Sequence, residues 1–197
     1  MFATAVAKGW KRWAATFLLG YEGIARIGEV LQAFRRDLVL PSDLFDCEHT
    51  AAFLRVRKPK SRRRGKGRVQ HLKIERPEAV RFLDAVFCEL EAFLPLFPLS
   101  AGVFRARWDK LLVFLGVPKA CRPTPASIRG GGAIQAYRRG ESIQSILWRM
   151  RLISQTTLES YLQELAAESF LLQLPDSAKS RIRFVASFFP AALQSPG

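Results

Sequence analysis

Between Arg55 and Arg68 the chain carries nine basic residues (Arg55, Arg57, Lys58, Lys60, Arg62, Arg63, Arg64, Lys66 and Arg68) and no acid. Burying so many uncompensated charges is prohibitive, so this run must face solvent or a polyanion. It is flanked by Ala51 to Val56 and Val69 to Ile74, two short apolar-rich segments that suit strands. A hairpin with a cationic tip joins these facts most simply. The other patterned segments read as helices. Trp10, Trp13, Phe17 and Tyr21 recur at helical spacing, and Ile27, Val30, Leu31 and Phe34 continue the rhythm after Gly23. Two helical segments are expected there, meeting near Gly20 to Gly23, with Pro41 ending the region. Further helices are expected from Pro77 to about Phe93, across Phe104 to Leu115, from near Ala126, over Ile143 to Met150, from Thr156, where Thr156 and Glu159 form a capping box, and over Lys179 to Phe189. The expected fold is mainly α with a small antiparallel β-sheet, in the α+β class. One full core fits 197 residues at 49% hydrophobic content. We divide the chain into a domain over 1–175 and a C-terminal amphipathic segment and tail over 176–197.

The formal net charge is +14, so removing the nine basic residues of this run leaves +5 for the rest. Charge concentrated in this way favours contact with a polyanion over a uniformly basic surface, and nucleic acid is preferred to a membrane. No apolar run approaches the roughly 20 residues of a membrane span. Cys47, Cys88 and Cys121 form no Cys-x-x-Cys pair and have only His49 and His71 as possible nitrogen companions, so neither a disulfide framework nor a metal site is expected. A reducing, intracellular compartment follows, nucleus or nucleoid if the protein is DNA-bound. Lys8, Lys11 and Arg12, with no acid before Tyr21, are compatible with a transit peptide. The aromatic spacing of the same residues favours the core face of a helix.

Three residues stand out chemically. Arg26 sits among apolar residues three positions before Glu29, and a structural Arg26–Glu29 pair is one explanation for it. Arg129 precedes Gly130, Gly131 and Gly132. Each glycine inside a helix costs about 1 kcal/mol relative to alanine, so close approach of the backbone to a phosphate or to another helix is expected. A nucleotide-binding loop is disfavoured because no G-x-x-x-x-G-K-[ST] pattern occurs. Tyr161, with Leu158, Leu162 and Leu165 around it, reads either as a core tyrosine or as a nucleophile.

Taken in order, GIARIGE, the basic hairpin, Arg129 with its glycines, and TTLESY resemble the catalytic domain of the tyrosine recombinases, the phage integrase family. The resemblance runs from about Trp10 to Leu165. That family carries a helix-borne Gly-Leu-Arg-x-x-Glu, and GIARIGE supplies its glycine, arginine and glutamate. The resemblance implies that Arg26 and Arg129 grip the scissile phosphate, that a hairpin lysine (Lys60, with Lys58 and Lys66 as alternates) protonates the leaving 5′ oxygen, and that Tyr161 forms a 3′-phosphotyrosyl bond. It implies no cofactor, neither metal nor ATP. Duplex DNA is the expected partner, met by Arg57, Lys58, Arg62, Arg63, Arg64, Lys66 and Arg68. Two positions depart from the pattern. The histidine of His-x-x-Arg is Ala126, and the His or Trp nine residues before the tyrosine is Leu152. The first loss removes acid–base help worth about 10²- to 10⁴-fold in rate. Two alternatives follow: a catalytically inactive DNA-binding remnant of a mobile-element recombinase, and a basic helical scaffold for RNA or protein. Related enzymes place a helical DNA-binding domain ahead of the catalytic one, so a fragment, a truncated remnant or reliance on another subunit is expected. The C-terminal segment is expected to pair with a second copy on DNA or to fold back.

Overall fold

A computed structural model describes residues 1–44, 50–57, 70–152 and 170–194. Helix α1 (Phe2–Ala7) ends before Gly9, whose φ of 71° lets the chain reverse into α2 (Lys11–Glu22). α2 lies at the centre, with Trp13, Leu18 and Leu19 fully buried. The Trp13 indole stacks on Phe104 at 4.8 Å and donates its Nε1–H to the Phe104 carbonyl at 3.1 Å, so one large side chain is both packed and satisfied. The aromatic rhythm seen in the sequence is therefore a core face.

A short helix α3 (Ile27–Val30) follows, but the rhythm that Leu31 and Phe34 continue does not stay helical. Leu96 N–H donates to the Ala33 carbonyl at 3.0 Å and Arg35 N–H to that of Leu94 at 2.9 Å, drawing this stretch against residues 94–96. The chain then enters β1 (Leu38–Val39), which pairs antiparallel with β2 (Ala52–Val56), itself antiparallel to β3 (Gln70–Ile74). The expected hairpin is present in register, with Arg55 opposite His71 and Val56 opposite Gln70. Ala52, Leu54 and Val56 of β2 and Leu72 and Ile74 of β3 face the core, the alternation a half-buried sheet requires. Buried Arg35 fastens this corner by donating to the carbonyls of Phe87 and Leu38 at 2.7 and 2.8 Å and to the Asp43 carboxylate at 2.5 Å.

Helix α4 (Pro77–Phe87) is shorter than the sequence suggests, because the carbonyls of Ala92 and Leu94 turn back to accept from Arg36 and Arg35. Ser100 caps α5 (Ala101–Phe114) through the N–H of Val103. Helices α6 (Ser127–Arg138) and α7 (Ile143–Met150) follow. α6 lies directly on α2: a Cβ at Gly132 would sit 2.1 Å from the Tyr21 carbonyl oxygen. Gly132 thus serves approach to another helix, one of the two reasons the glycine run suggests. The C-terminal α8 (Asp176–Ser187) and α9 (Phe189–Gln194) fold back, burying Ala178 and Leu193 in the main core and setting the Phe189 ring 5.3 Å from Phe2. The architecture is mainly helical around one three-stranded antiparallel sheet. Among the described residues no helix is long and apolar enough to cross a membrane.

Candidate functional site

Ile24, Ala133, Ala136, Ile146 and Met150 form a second, smaller core that ties the end of α2 to α6 and α7, with Leu152 packed against it. Around this core the structure brings Arg26 and Arg129 to one junction. Arg26 occupies the N-cap of α3 in extended conformation (φ −70°, ψ 127°), and its Nη1 lies 3.3 Å from Glu29 Oε1. The structural Arg26–Glu29 pair is therefore present. The same carboxylate also receives Arg151 Nη2 on its second oxygen. Arg129 enters from the first turn of α6, is buried, and donates Nη2 to the Met150 carbonyl at 2.5 Å. That carbonyl ends α7, where unsatisfied acceptors and the negative helix pole favour a cation. Met150 and Arg151 adjoin in the chain, so three arginines and one glutamate share this junction.

In the family's Gly-Leu-Arg pattern the glycine stands two residues before the arginine. The glycine match expected of GIARIGE therefore fails by one position, because Ile24, not Gly23, holds that place, and Ile24 adopts φ 50°, a left-handed conformation that a β-branched residue rarely takes. Arg151 is the other non-glycine residue of positive φ, at 56°, closing α7 as its C-cap. Both bends fall at the edges of the arginine junction.

Ala126 is the exposed N-cap of α6 and provides no side-chain cap. It offers no proton donor or acceptor beside Arg129. Leu152 packs against the second core, and its side chain can make no hydrogen bond. Tyr161, Lys58, Lys60, Arg62, Arg63, Arg64, Lys66, Arg68 and the Thr156 capping box lie outside the described residues. Arg57 is described: its Nε lies 2.5 Å from Asp37 Oδ2 and its guanidinium rests 5.1 Å from the Phe34 ring, contacts that tie the base of the hairpin to the domain. Of the described tyrosines, Tyr21 is mostly buried, and burial followed by the charge of Glu22 pushes its phenol above the ordinary value. Such a hydroxyl is a poor nucleophile.

Sequence reasoning missed Arg151 and the shared use of Glu29. A basic residue after the last turn of a predicted helix is the only signal for Arg151. It also missed a second charged network, in which buried Glu22 pairs with Arg76 (3.4 Å) and Arg139 (3.1 Å), while Arg149 bridges Glu141 and the Glu22 carbonyl. These residues and Glu75 line a recess of about 480 Å³ in which three arginines face three carboxylates. Its charges balance, as befits a network that holds helices together. Arg76 and Arg139 also border an apolar cavity of about 540 Å³ between α2 and α8. A comparison with protein-family models, curated proteins and solved structures finds no match.

Proposed function

We propose that this chain is a tyrosine-recombinase-like domain that binds duplex DNA and breaks and rejoins one strand through Tyr161. The observation that supports the reading is that Arg26 and Arg129, distant in sequence, are linked through the chain of contacts Arg26–Glu29–Arg151 and Met150–Arg129, Met150 and Arg151 being adjacent residues. Guanidinium forks suit a phosphate diester because each can donate two parallel hydrogen bonds to its oxygens and offset the charge that builds as phosphorus is attacked. In the proposed step the Tyr161 oxygen, giving up its proton to solvent water because Ala126 offers no base, bonds to phosphorus. The bond from phosphorus to the 5′ oxygen breaks, and Lys60 delivers a proton to that oxygen. Attack by a 5′ hydroxyl on the phosphotyrosine reverses the sequence and rejoins the strand. The basic run from Arg57 to Arg68 supplies the longer-range hold on the duplex.

A duplex nicked just beyond the cleavage point loses its leaving strand and should trap the chain covalently. The expected result is an adduct that survives denaturing electrophoresis and vanishes in Tyr161→Phe. No adduct from the wild type, or an adduct that persists in the variant, rejects catalysis. Ala126 favours a second reading, a DNA-binding remnant without strand cleavage, which predicts salt-dependent duplex binding and no adduct. Preference for RNA over duplex, with Tyr161→Phe silent throughout, would instead support a scaffold.

A further inference from the structure

Building on the recombinase-like reading, we propose that Arg151 is a third phosphate-contacting guanidinium of this site, and that Glu29 is the internal anion that occupies its place when DNA is absent. The Arg151 side chain is nine-tenths buried, with 10% exposure, yet its Nε and Nη1 find no hydrogen-bond partner among the described residues. A guanidinium has five N–H donors, and three of them belong to those two nitrogens. Buried donors of this kind normally have partners, and an arginine left short of them marks a place for an acceptor.

Arg26 and Arg151 share the single carboxylate of Glu29, one oxygen each, so this pair and its acid carry one net positive charge. The Glu22 network, with three arginines against three carboxylates, has no such excess. Arg151 caps α7 with its backbone alone: its guanidinium bonds Glu29 through Nη2, and its Nε and Nη1 reach no carbonyl of the helix. Arg151 holds a left-handed φ of 56°, at a strain that asparagine or glycine would avoid, while its side chain reaches Glu29 of α3. Arg26, a third exposed along its side chain, is the solvent-facing member of the pair, so an anion entering beside it reaches Arg151 by displacing Glu29. The ligand class is a phosphate diester of duplex DNA, and the position is one residue from Leu152, where the family's hydrogen-bonding group is missing.

The test uses the full chain with a short duplex and, separately, inorganic pyrophosphate as a small anionic probe. Duplex affinity is measured across salt concentrations, and the probe is followed by thermal shift. Arg151→Gln should reduce the slope of log affinity against log salt by about 1 and abolish the pyrophosphate shift. Arg105→Gln removes the same charge from the exposed face of α5 and should change neither. Arg151→Lys should keep the slope but weaken the pyrophosphate response, since it keeps the charge and loses the fork. Glu29→Gln should strengthen both interactions severalfold, which provides an independent readout if Arg151→Gln does not fold. Wild-type slope and probe response in a folded Arg151→Gln, or no gain in Glu29→Gln, overturn the proposal whatever the adduct assay gives. Loss of slope in Arg151→Gln without any wild-type adduct keeps it and rejects strand cleavage alone. If the wild type binds neither probe, both readings fall.

Discussion

Ala126 is the residue at which the proposed chemistry is most exposed to test. It is an exposed N-cap without a side-chain capping hydrogen bond, so a larger side chain can be introduced there without displacing core. Ala126→His should restore acid–base help beside Arg129 and raise the rate of adduct formation by about 10²-fold or more. An unchanged rate, with the fold intact by circular dichroism, separates this position from the reaction. A second residue-scale prediction concerns Asp43. Burial pushes its carboxyl up, but the Arg35 hydrogen bond, the Leu40 N–H and the charge of Arg35 outweigh that and hold it below its ordinary 3.8. A carboxylate with a lowered folded value stabilises the fold above its unfolded value and ceases to do so as pH falls through the folded one. The stability gap between wild type and Asp43→Asn, measured by urea unfolding near neutral pH and below about pH 3, should therefore shrink in acid. Arg26 was legible in the sequence because an arginine among apolar residues needs a partner three positions on. Arg151 was not, since its burial depends on a left-handed turn and on a carboxylate more than a hundred residues earlier in the chain.

Helices whose apolar residues repeat over two or more turns could be read directly. Those expected over Ile143 to Met150 and across Phe104 to Leu115 are α7 and α5, and the two strands of the hairpin are β2 and β3. Short elements could not be read: α1 has six residues and β1 two, too few for a period to emerge. The stretch after Val30 misled because its apolar residues serve pairing with residues 94–96, and periodicity cannot distinguish that from a helix face. The glycine run announced a close approach without naming its partner, and the α2–α6 crossing supplies it. At this scale the two glycines make opposite predictions. A methyl at Gly132 would sit 2.1 Å from the Tyr21 carbonyl oxygen, a backbone atom that can move only if α2 moves. One at Gly131 would meet the Tyr21 ring at 3.4 Å, an ordinary contact. Gly132→Ala should cost about 3 kcal/mol or more in chemical denaturation. Gly131→Ala should be neutral or gain up to about 1 kcal/mol from helix propensity. Equal effects would contradict the crossing geometry.

For the molecule as a whole, the question is whether residues after Pro175 belong to the same folding unit as the rest. The sequence suggested a boundary there, because a proline precedes an amphipathic segment. The same segment carries Ile182, Val185 and Phe189 on one side, and these lie against the main core, joined by fully buried Ala178 and by Leu193. Phe2 completes the contact, with its ring 4.9 Å from Phe82 and 5.3 Å from Phe189, so α9 covers the seam between α1 and α4. Phe184 and Phe188 form an edge-to-face pair on the outer side, where both are half-exposed or more. Burying a side chain such as Leu193 or Phe189 contributes about 1.5 to 3 kcal/mol, and a domain of this kind is stable by only about 5 to 15 kcal/mol. Removing several such side chains together therefore consumes most of the margin. A chain ending at Pro175 should lose its cooperative thermal transition or melt well below the full chain, and should bind a dye specific for exposed apolar surface. Phe184→Ser with Phe188→Ser, by contrast, should leave the melting temperature nearly unchanged, because neither ring is committed to the core. If the truncated chain melts like the full one, α8 and α9 are an appendage. If the double variant unfolds it, the outer pair is structural after all and the inner face has been assigned too much of the stability.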